Sequence, residues 1–209
     1  MALAAEGGEA GRRVAIFGGS FNPPHVAHLL AAAYALSVAP IDLVLVIPVY
    51  RHPFAKELAP FEERLSMCRL ALGWLPGVEV SEVERELGGE SLTLRTLEHL
   101  AAVHPTWAMR LLVGADVLAD LPRWHRFDRI AELAPPLVLG RVGVAPGPRA
   151  SLAGVAEIPS APEPVLPGVS STEIRSALAA GDLDAVRGRV PRAVLDHIAE
   201  RGLYGCGRP

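Results

Sequence analysis

Five short apolar runs are spaced along the chain: Val14–Phe17, Ile41–Pro48, Val78–Ser81, Met109–Val113 and Pro136–Leu139. Each is short enough to be a strand; Val14–Phe17, Leu43–Pro48 and Pro136–Leu139 are continuous, as in a sheet buried on both faces, whereas Val78–Ser81 alternates. Between them apolar residues recur at helical spacing. Leu29–Leu36 reads as a helix, and Phe61, Leu65, Cys68 and Leu72 mark one face of a second, with Arg64 and Arg69 off that face. The stretch after Gly88-Gly89 predicts a helix running to about His104. Three more close the chain: Ser170 to near Gly181, Asp182–Val190, and Pro191–Gly202 with Pro191 at a helix start. Leu203-Tyr204 follows as an apolar anchor. Glu82–Glu86 is expected to extend the third strand's edge with solvated charges. Residues 141–169, with Pro146, Pro148, Pro162, Pro164 and Pro167, read as loop with a short strand near Ala156–Ile158.

Strands joined through helices pair in parallel. The pattern therefore predicts an α/β fold: a single Rossmann-like domain with a mainly parallel open sheet, helices on both faces and a C-terminal helical segment. The expected boundaries are a disordered tail at 1–11, one domain at 12–205 and a C-terminal tail at 206–209, with no repeat and no linker dividing two domains.

Composition narrows the classes. A chain of 209 residues, half of them hydrophobic, builds one sizeable core. The net charge of −3 supplies no general basic field for nucleic acid, so anion affinity must be local. Cys68 and Cys206 form no metal-like pair, which fits a reduced, cytoplasmic chain. The first residues lack the basic start and apolar core of a signal peptide, and no apolar run reaches membrane-spanning length. Of 20 Lys and Arg residues only Lys56 is a lysine, which marks it as a place where a compact ammonium acts differently from a guanidinium.

The richest stretch is Gly18-Gly19-Ser20-Phe21-Asn22-Pro23-Pro24-His25-Val26-Ala27-His28. It lies between the first strand and first helix, where unpaired N–H groups and the helix dipole meet an anion. Gly18 and Gly19 let backbone approach a ligand, and Pro23-Pro24 delay the helix start. His25 and His28 share one face of the first turn, an arrangement suited to phosphate. No third ligand at short spacing supports zinc, and the loop does not match the dinucleotide fingerprint.

Later loops carry further candidates. Arg51, His52 and Lys56 follow the second strand at the sheet edge where ligands bind. Ser91 and Thr93 read locally as helix caps and also as hydroxyl donors. Gly114 and Asp116 end the fourth strand; the acid is placed to bond ribose, support a metal or cap the next turn. Trp124, among cations, either stacks on an aromatic ring or packs in the core. Ser170 and Glu173 match a capping box, leaving Ser171, Thr172 and Arg175 at a second helix N-terminus able to hold phosphate.

G-G-S-F-N-P-P-H-x-x-H resembles the signature of the nucleotidyltransferase superfamily. With G-A-D-V-L, a downstream R-W, S-S-T-E-I-R, V-P-R-A-V-L-D-H-I and a closing L-Y, the chain from Arg13 to Tyr204 is similar to the bacterial nicotinate mononucleotide adenylyltransferases. The resemblance implies transfer of AMP from ATP, with Mg²⁺ travelling on the nucleotide, to nicotinate mononucleotide, giving deamido-NAD and pyrophosphate. It implies ATP contacts from Gly18, Gly19, Ser20, Phe21, His25, His28, Gly114, Asp116, Ser171, Thr172 and Arg175. His25, His28, Lys56 and Arg175 would be catalytic, and Lys56, Ser91, Thr93 and Trp124 would bind the acceptor. No dedicated metal site, nucleic acid or membrane is implied, and oligomeric state is not readable. Alternatives are a related enzyme using nicotinamide mononucleotide or phosphopantetheine, or a non-catalytic nucleotide-binding protein on this fold. Three positions depart from the family pattern: Ala27 replaces a usual Gly, the second loop reads His52-Pro53-Phe54-Ala55-Lys56, and Leu92 stands where an aromatic residue is common.

Overall fold

The computed structural model describes residues 11–52, 57–118, 120–140 and 166–206. The expected tail at 1–10, Lys56, the loop and strand expected within 141–165, and the last residues 207–209 lie outside them. Among the described residues five strands, β1 (Arg13–Gly19), β2 (Leu43–Pro48), β3 (Val78–Val80), β4 (Ala108–Gly114) and β5 (Pro136–Leu139), form one sheet in the order β3-β2-β1-β4-β5. Every pairing is parallel, with Val14 opposite Leu43 and Met109, and Leu112 opposite Leu137.

The continuous apolar runs are explained by two cores, one on each face. Ala15, Phe17, Val44, Val46, Leu112, Leu137 and Leu139 face the first; Val14, Ile16, Leu43, Leu45, Ile47, Leu111, Val113 and Val138 face the second. The first face is covered by α1 (Val26–Val38), α2 (Phe61–Leu72), α6 (Ser171–Ala179) and α8 (Arg192–Arg201). The second is covered by α3 (Val83–Leu87), α4 (Thr93–Val103) and α5 (Phe127–Leu133). A short α7 (Leu183–Val186) joins α6 to α8. Each buried Leu- or Val-sized side chain contributes about 1.5–3 kcal/mol, so a two-sided core suits a chain half apolar.

Several expectations are corrected. Glu82–Glu86 is not a strand edge: α3 occupies it, and Glu84 is buried. The helix α5 was not evident from the sequence, because it is short and follows a left-handed Arg126 (φ 53°). The helix expected over 182–190 shrinks to α7, since Gly188 takes φ 78°. Cys206, expected in a tail, is buried in the first core.

In this strand order the direction of winding reverses between β1 and β4. Their carboxyl ends therefore leave a crevice that no crossover helix fills.

Candidate functional site

A cavity of about 980 Å³ occupies that crevice, at the upper end of the range for small-molecule pockets. Its wall on the first face is Gly18, Gly19, Ser20, His25, Ala27 and His28. A methyl group at Gly18 would meet no protein atom within 4 Å, so glycine there keeps space open on the cavity side. His25 sits at the N-cap of α1 and His28 in its first turn. Their rings stack at 3.7 Å between centroids and 25° between planes. The His25 backbone N–H donates to His28 Nδ1 at 3.1 Å. An accepting Nδ1 puts the ring proton of neutral His28 on Nε2, so the ring is a donor at that end.

The loop carrying this pair is held from below by residues distant in sequence. Arg64 donates to Ser20 O at 3.0 Å and to Ala59 O at 2.9 Å. Asn22 Oδ1 accepts from the Ala59 N–H at 3.0 Å and the Tyr204 hydroxyl at 2.9 Å. Arg175 donates to Asn22 O at 2.8 Å, and the Ser171 hydroxyl donates to Pro23 O at 2.9 Å. Phe21, at φ 45° and 2% exposed, lies edge-on to Phe17 and His28 at 5.5 and 4.9 Å. A non-glycine residue in that conformation persists only where its surroundings fix it. The Phe21 side chain packs beneath His28 and does not line the cavity.

Arg64 also corrects the sequence reading. It is 1% exposed, on the packed side of α2. Burial pushes its guanidinium pKa down, and among the described residues no carboxylate lies within ion-pair distance. Its charge is satisfied by two carbonyl oxygens and the Phe61 ring, 5.6 Å away. A buried cation under the Ser20–Asn22 turn adds positive potential where solvent screens it least.

The wall on the second face is His52, Glu84, Ser91, Thr93, Thr96, Gly114, Asp116 and Trp124. A Cβ at Gly114 would collide with the Asp116 carboxylate, which folds back over it. That close approach accounts for the small residue before the acid. Asp116 lies inside a 3₁₀ turn, Ala115–Val117, whose N-cap is Gly114, so the capping alternative for Asp116 is not realised. Trp124 packs against the second core and also lines the cavity.

Ser91 and Thr93 do not cap α4; Leu92 occupies the N-cap and no side chain closes it. The Ser91 oxygen accepts from the N–H groups of Tyr50 at 2.9 Å and Arg51 at 3.2 Å. Both its acceptor positions are then used. Ser91 therefore shapes the wall as well as lining it, while Thr93 stays at the cavity surface. Glu84, missed from sequence as a solvated charge, accepts from Tyr50 N at 3.1 Å and Thr96 Oγ1 at 3.2 Å. Burial raises its pKa above the ordinary carboxylate value despite these donors.

Of the sequence candidates, Gly18, Gly19, Ser20, His25, His28, Ser91, Thr93, Gly114, Asp116 and Trp124 are brought together on one cavity. Ser171, Thr172 and Arg175 are not in its wall; they stand at the N-terminus of α6, against the Asn22-Pro23 turn. The capping box there is half formed: the Ser170 hydroxyl accepts from Thr172 N at 3.2 Å, while Glu173 reaches Arg189 instead. Asn22, Glu84 and Tyr204 carry no signal of a site role in the sequence; Arg64 on α2 is within reach of the site by its position in the sequence, and the structure places it beneath the first loop.

Comparison with known proteins agrees with this geometry. Residues 16–177 match the cytidylyltransferase-like family model. The chain is 52% identical over 197 residues to the probable nicotinate-nucleotide adenylyltransferase of Anaeromyxobacter dehalogenans strain 2CP-C, covering 93% of this chain and 97% of that protein. It is 40% identical over 200 residues to the protein of the same name from Myxococcus xanthus, covering 94% and 96%. The fold superposes on Plasmodium falciparum nicotinic acid mononucleotide adenylyltransferase, solved in complex with NaAD, with a TM-score of 0.80. That match has 17% identity and covers 95% of this chain and all of the other.

Proposed function

We propose a reaction for this cavity from one premise: the chain belongs to the cytidylyltransferase-like family, and within it to the nicotinate-nucleotide adenylyltransferases. It is a nucleotidyltransferase of NAD biosynthesis that moves AMP from ATP to nicotinate mononucleotide, giving deamido-NAD and pyrophosphate. The carrying observation is the stacked His25–His28 pair at the mouth of α1, facing an aromatic and hydroxyl-bearing wall across the crevice.

An oxygen of the acceptor's 5′-phosphate forms a bond to the α-phosphorus of ATP. The bond from that phosphorus to the bridging oxygen breaks, and pyrophosphate leaves with the electron pair. The nucleophile is already anionic, so no general base is required, and catalysis is alignment plus stabilisation of charge. His28, with its proton on Nε2, donates to the transferring phosphoryl group, and His25 holds the adjoining phosphates. Gly18, Gly19 and Ser20 supply backbone close to the nucleotide. Asp116 and Gly114 receive its sugar. Thr172 and Arg175, beside the first loop, hold the β- and γ-phosphates. Thr93 and Trp124 form the acceptor pocket, the indole stacking on the pyridine ring. Lys56, outside the described residues, is assigned to phosphate neutralisation on the family motif alone.

Mg²⁺ would arrive on the triphosphate and supply charge neutralisation there. No helix among the described residues is long and apolar enough to cross a membrane. With Cys68 and Cys206 both buried as thiols, a cytoplasmic enzyme is the reading that fits.

Pyrophosphate release with ATP and Mg²⁺, compared across nicotinate mononucleotide, nicotinamide mononucleotide and phosphopantetheine, tests the proposal. Preference for nicotinate mononucleotide is expected. Preference for another acceptor would keep the chemistry and replace the substrate. ATP binding without release would point to a nucleotide-binding protein.

A further inference from the structure

We propose that Glu84 is the positioning residue of the acceptor pocket, tying three wall segments into one geometry without touching substrate. The inference rests on the reading of the second-face wall as the acceptor side. Glu84 is 9% exposed at the N-terminal turn of α3 and borders the cavity. One carboxylate oxygen accepts from the Tyr50 N–H in the loop after β2, and the other from Thr96 Oγ1 on α4. Ser91, in the loop before α4, shares the Tyr50 N–H with the same carboxylate. Ser91 in turn accepts from Tyr50 N and Arg51 N, and its own N–H donates to Arg51 O at 2.9 Å.

Arg95 braces the loop before α4 through Leu87 O and Gly88 O, but that contact does not tie it to the loop at 50–51. The loop turns through Gly88 and Gly89 at φ 65° and 71°, conformations that carry no preference for this geometry in an unfolded chain. Helix α3 is only five residues long. A carboxylate that receives a backbone N–H and the Thr96 hydroxyl, and shares that N–H with Ser91, therefore fixes the spacing between the loop at 50–51, the loop at 91 and the first turn of α4. Thr93 lies between two of these anchor points. Its hydroxyl is placed on the cavity by the hub and not by contacts of its own loop. An acidic side chain in a pocket for an anionic acceptor is also accounted for. Its oxygens are turned into the wall, where donors occupy them, so it presents no charge to the incoming carboxylate.

The test is steady-state kinetics of Glu84→Ala, Glu84→Gln and Ser91→Ala with ATP and nicotinate mononucleotide varied separately. Glu84→Ala should raise KM for nicotinate mononucleotide by about tenfold, with KM for ATP and kcat changed less than about twofold, the pattern of lost acceptor positioning. Glu84→Gln, which keeps an acceptor oxygen and the shape, should restore most of the loss. Ser91→Ala should reproduce the same split, and the Glu84→Ala/Ser91→Ala double variant should be no worse than the poorer single variant, because both belong to one hub. If Glu84→Ala does not fold, the glutamine and serine variants carry the comparison. An unchanged acceptor KM in Glu84→Ala, equal losses for ATP and acceptor, or additive effects of the two substitutions would overturn the inference. Wild-type protein that releases no pyrophosphate with nicotinate mononucleotide would overturn the assigned reaction, and the positioning role with it.

Discussion

The two sides of the cavity are fastened by opposite chemistry. The loop at 18–25 is held mainly through its carbonyl oxygens, by Arg64, Arg175, Ser171 and through Asn22 by Tyr204. The loop at 50–51 is held through its N–H groups, by Glu84 and Ser91. Donors that seize carbonyls leave a loop whose remaining polarity is positive. Acceptors that seize N–H groups leave a wall that is electrostatically quiet. The first suits a triphosphate, the second a planar ring bearing its own charge. The difference also sets fragility: the phosphate side is pinned from many distant segments, the acceptor side from two neighbouring residues, Glu84 and Ser91.

Substitutions on each side sharpen the contrast. The largest effect is expected at His28. Replacement by alanine removes a donor to the transferring group and should lower kcat by about 10²–10³-fold while ATP binding changes far less. Unchanged turnover would take His28 out of the mechanism. Arg64→Ala should come next, and in stability. It leaves Ser20 O and Ala59 O without their donor and opens a void, a cost of about 3 kcal/mol read from denaturant midpoints. A loss below about 1 kcal/mol would show that the phosphate side is not pinned from beneath. On the opposite wall, Trp124→Ala should weaken the acceptor by about tenfold through lost stacking and leave KM for ATP near wild type. An effect confined to ATP would exchange the two sides. The smallest change is Ala27→Gly. Ala27 is buried in α1 and its methyl lines the cavity, so glycine should keep or tighten ATP affinity in titration at a helix cost of about 0.5–1 kcal/mol. A marked loss of affinity would reject crowding by the methyl.

The same contrast governs what could be read from the sequence. Strands buried on both faces announce themselves as apolar runs, so β1, β2, β4, β5 and their parallel pairing follow from the pattern, while the strand order does not. The phosphate loop is one contiguous stretch whose residue types fit an anion, so His25 and His28 were identifiable. Residues that serve the loop from elsewhere were not. Arg64 looked like a charge off an apolar face because helical spacing says nothing of which carbonyls lie beneath α2. Glu84 looked like one of several acids on an exposed edge, because its partners come from segments brought near it only by the fold. The motif places Phe21 near the site but does not report that its side chain turns under His28. In each case the missing information is the tertiary position of a hydrogen-bond partner.

Tyr204 and Asn22, joined by one hydrogen bond, stand 182 residues apart in the chain. On a ribosome adding about 5–20 residues each second, the nucleotide loop is synthesised first and its latch roughly 10–40 s later. Most of the sheet emerges in that interval, with the loop still lacking its last tether. The contact reaches back across the whole sheet, so the loop gains this tether only after every strand has been made, and a chain cut before Tyr204 would carry the sheet with the Asn22 side chain short of one partner.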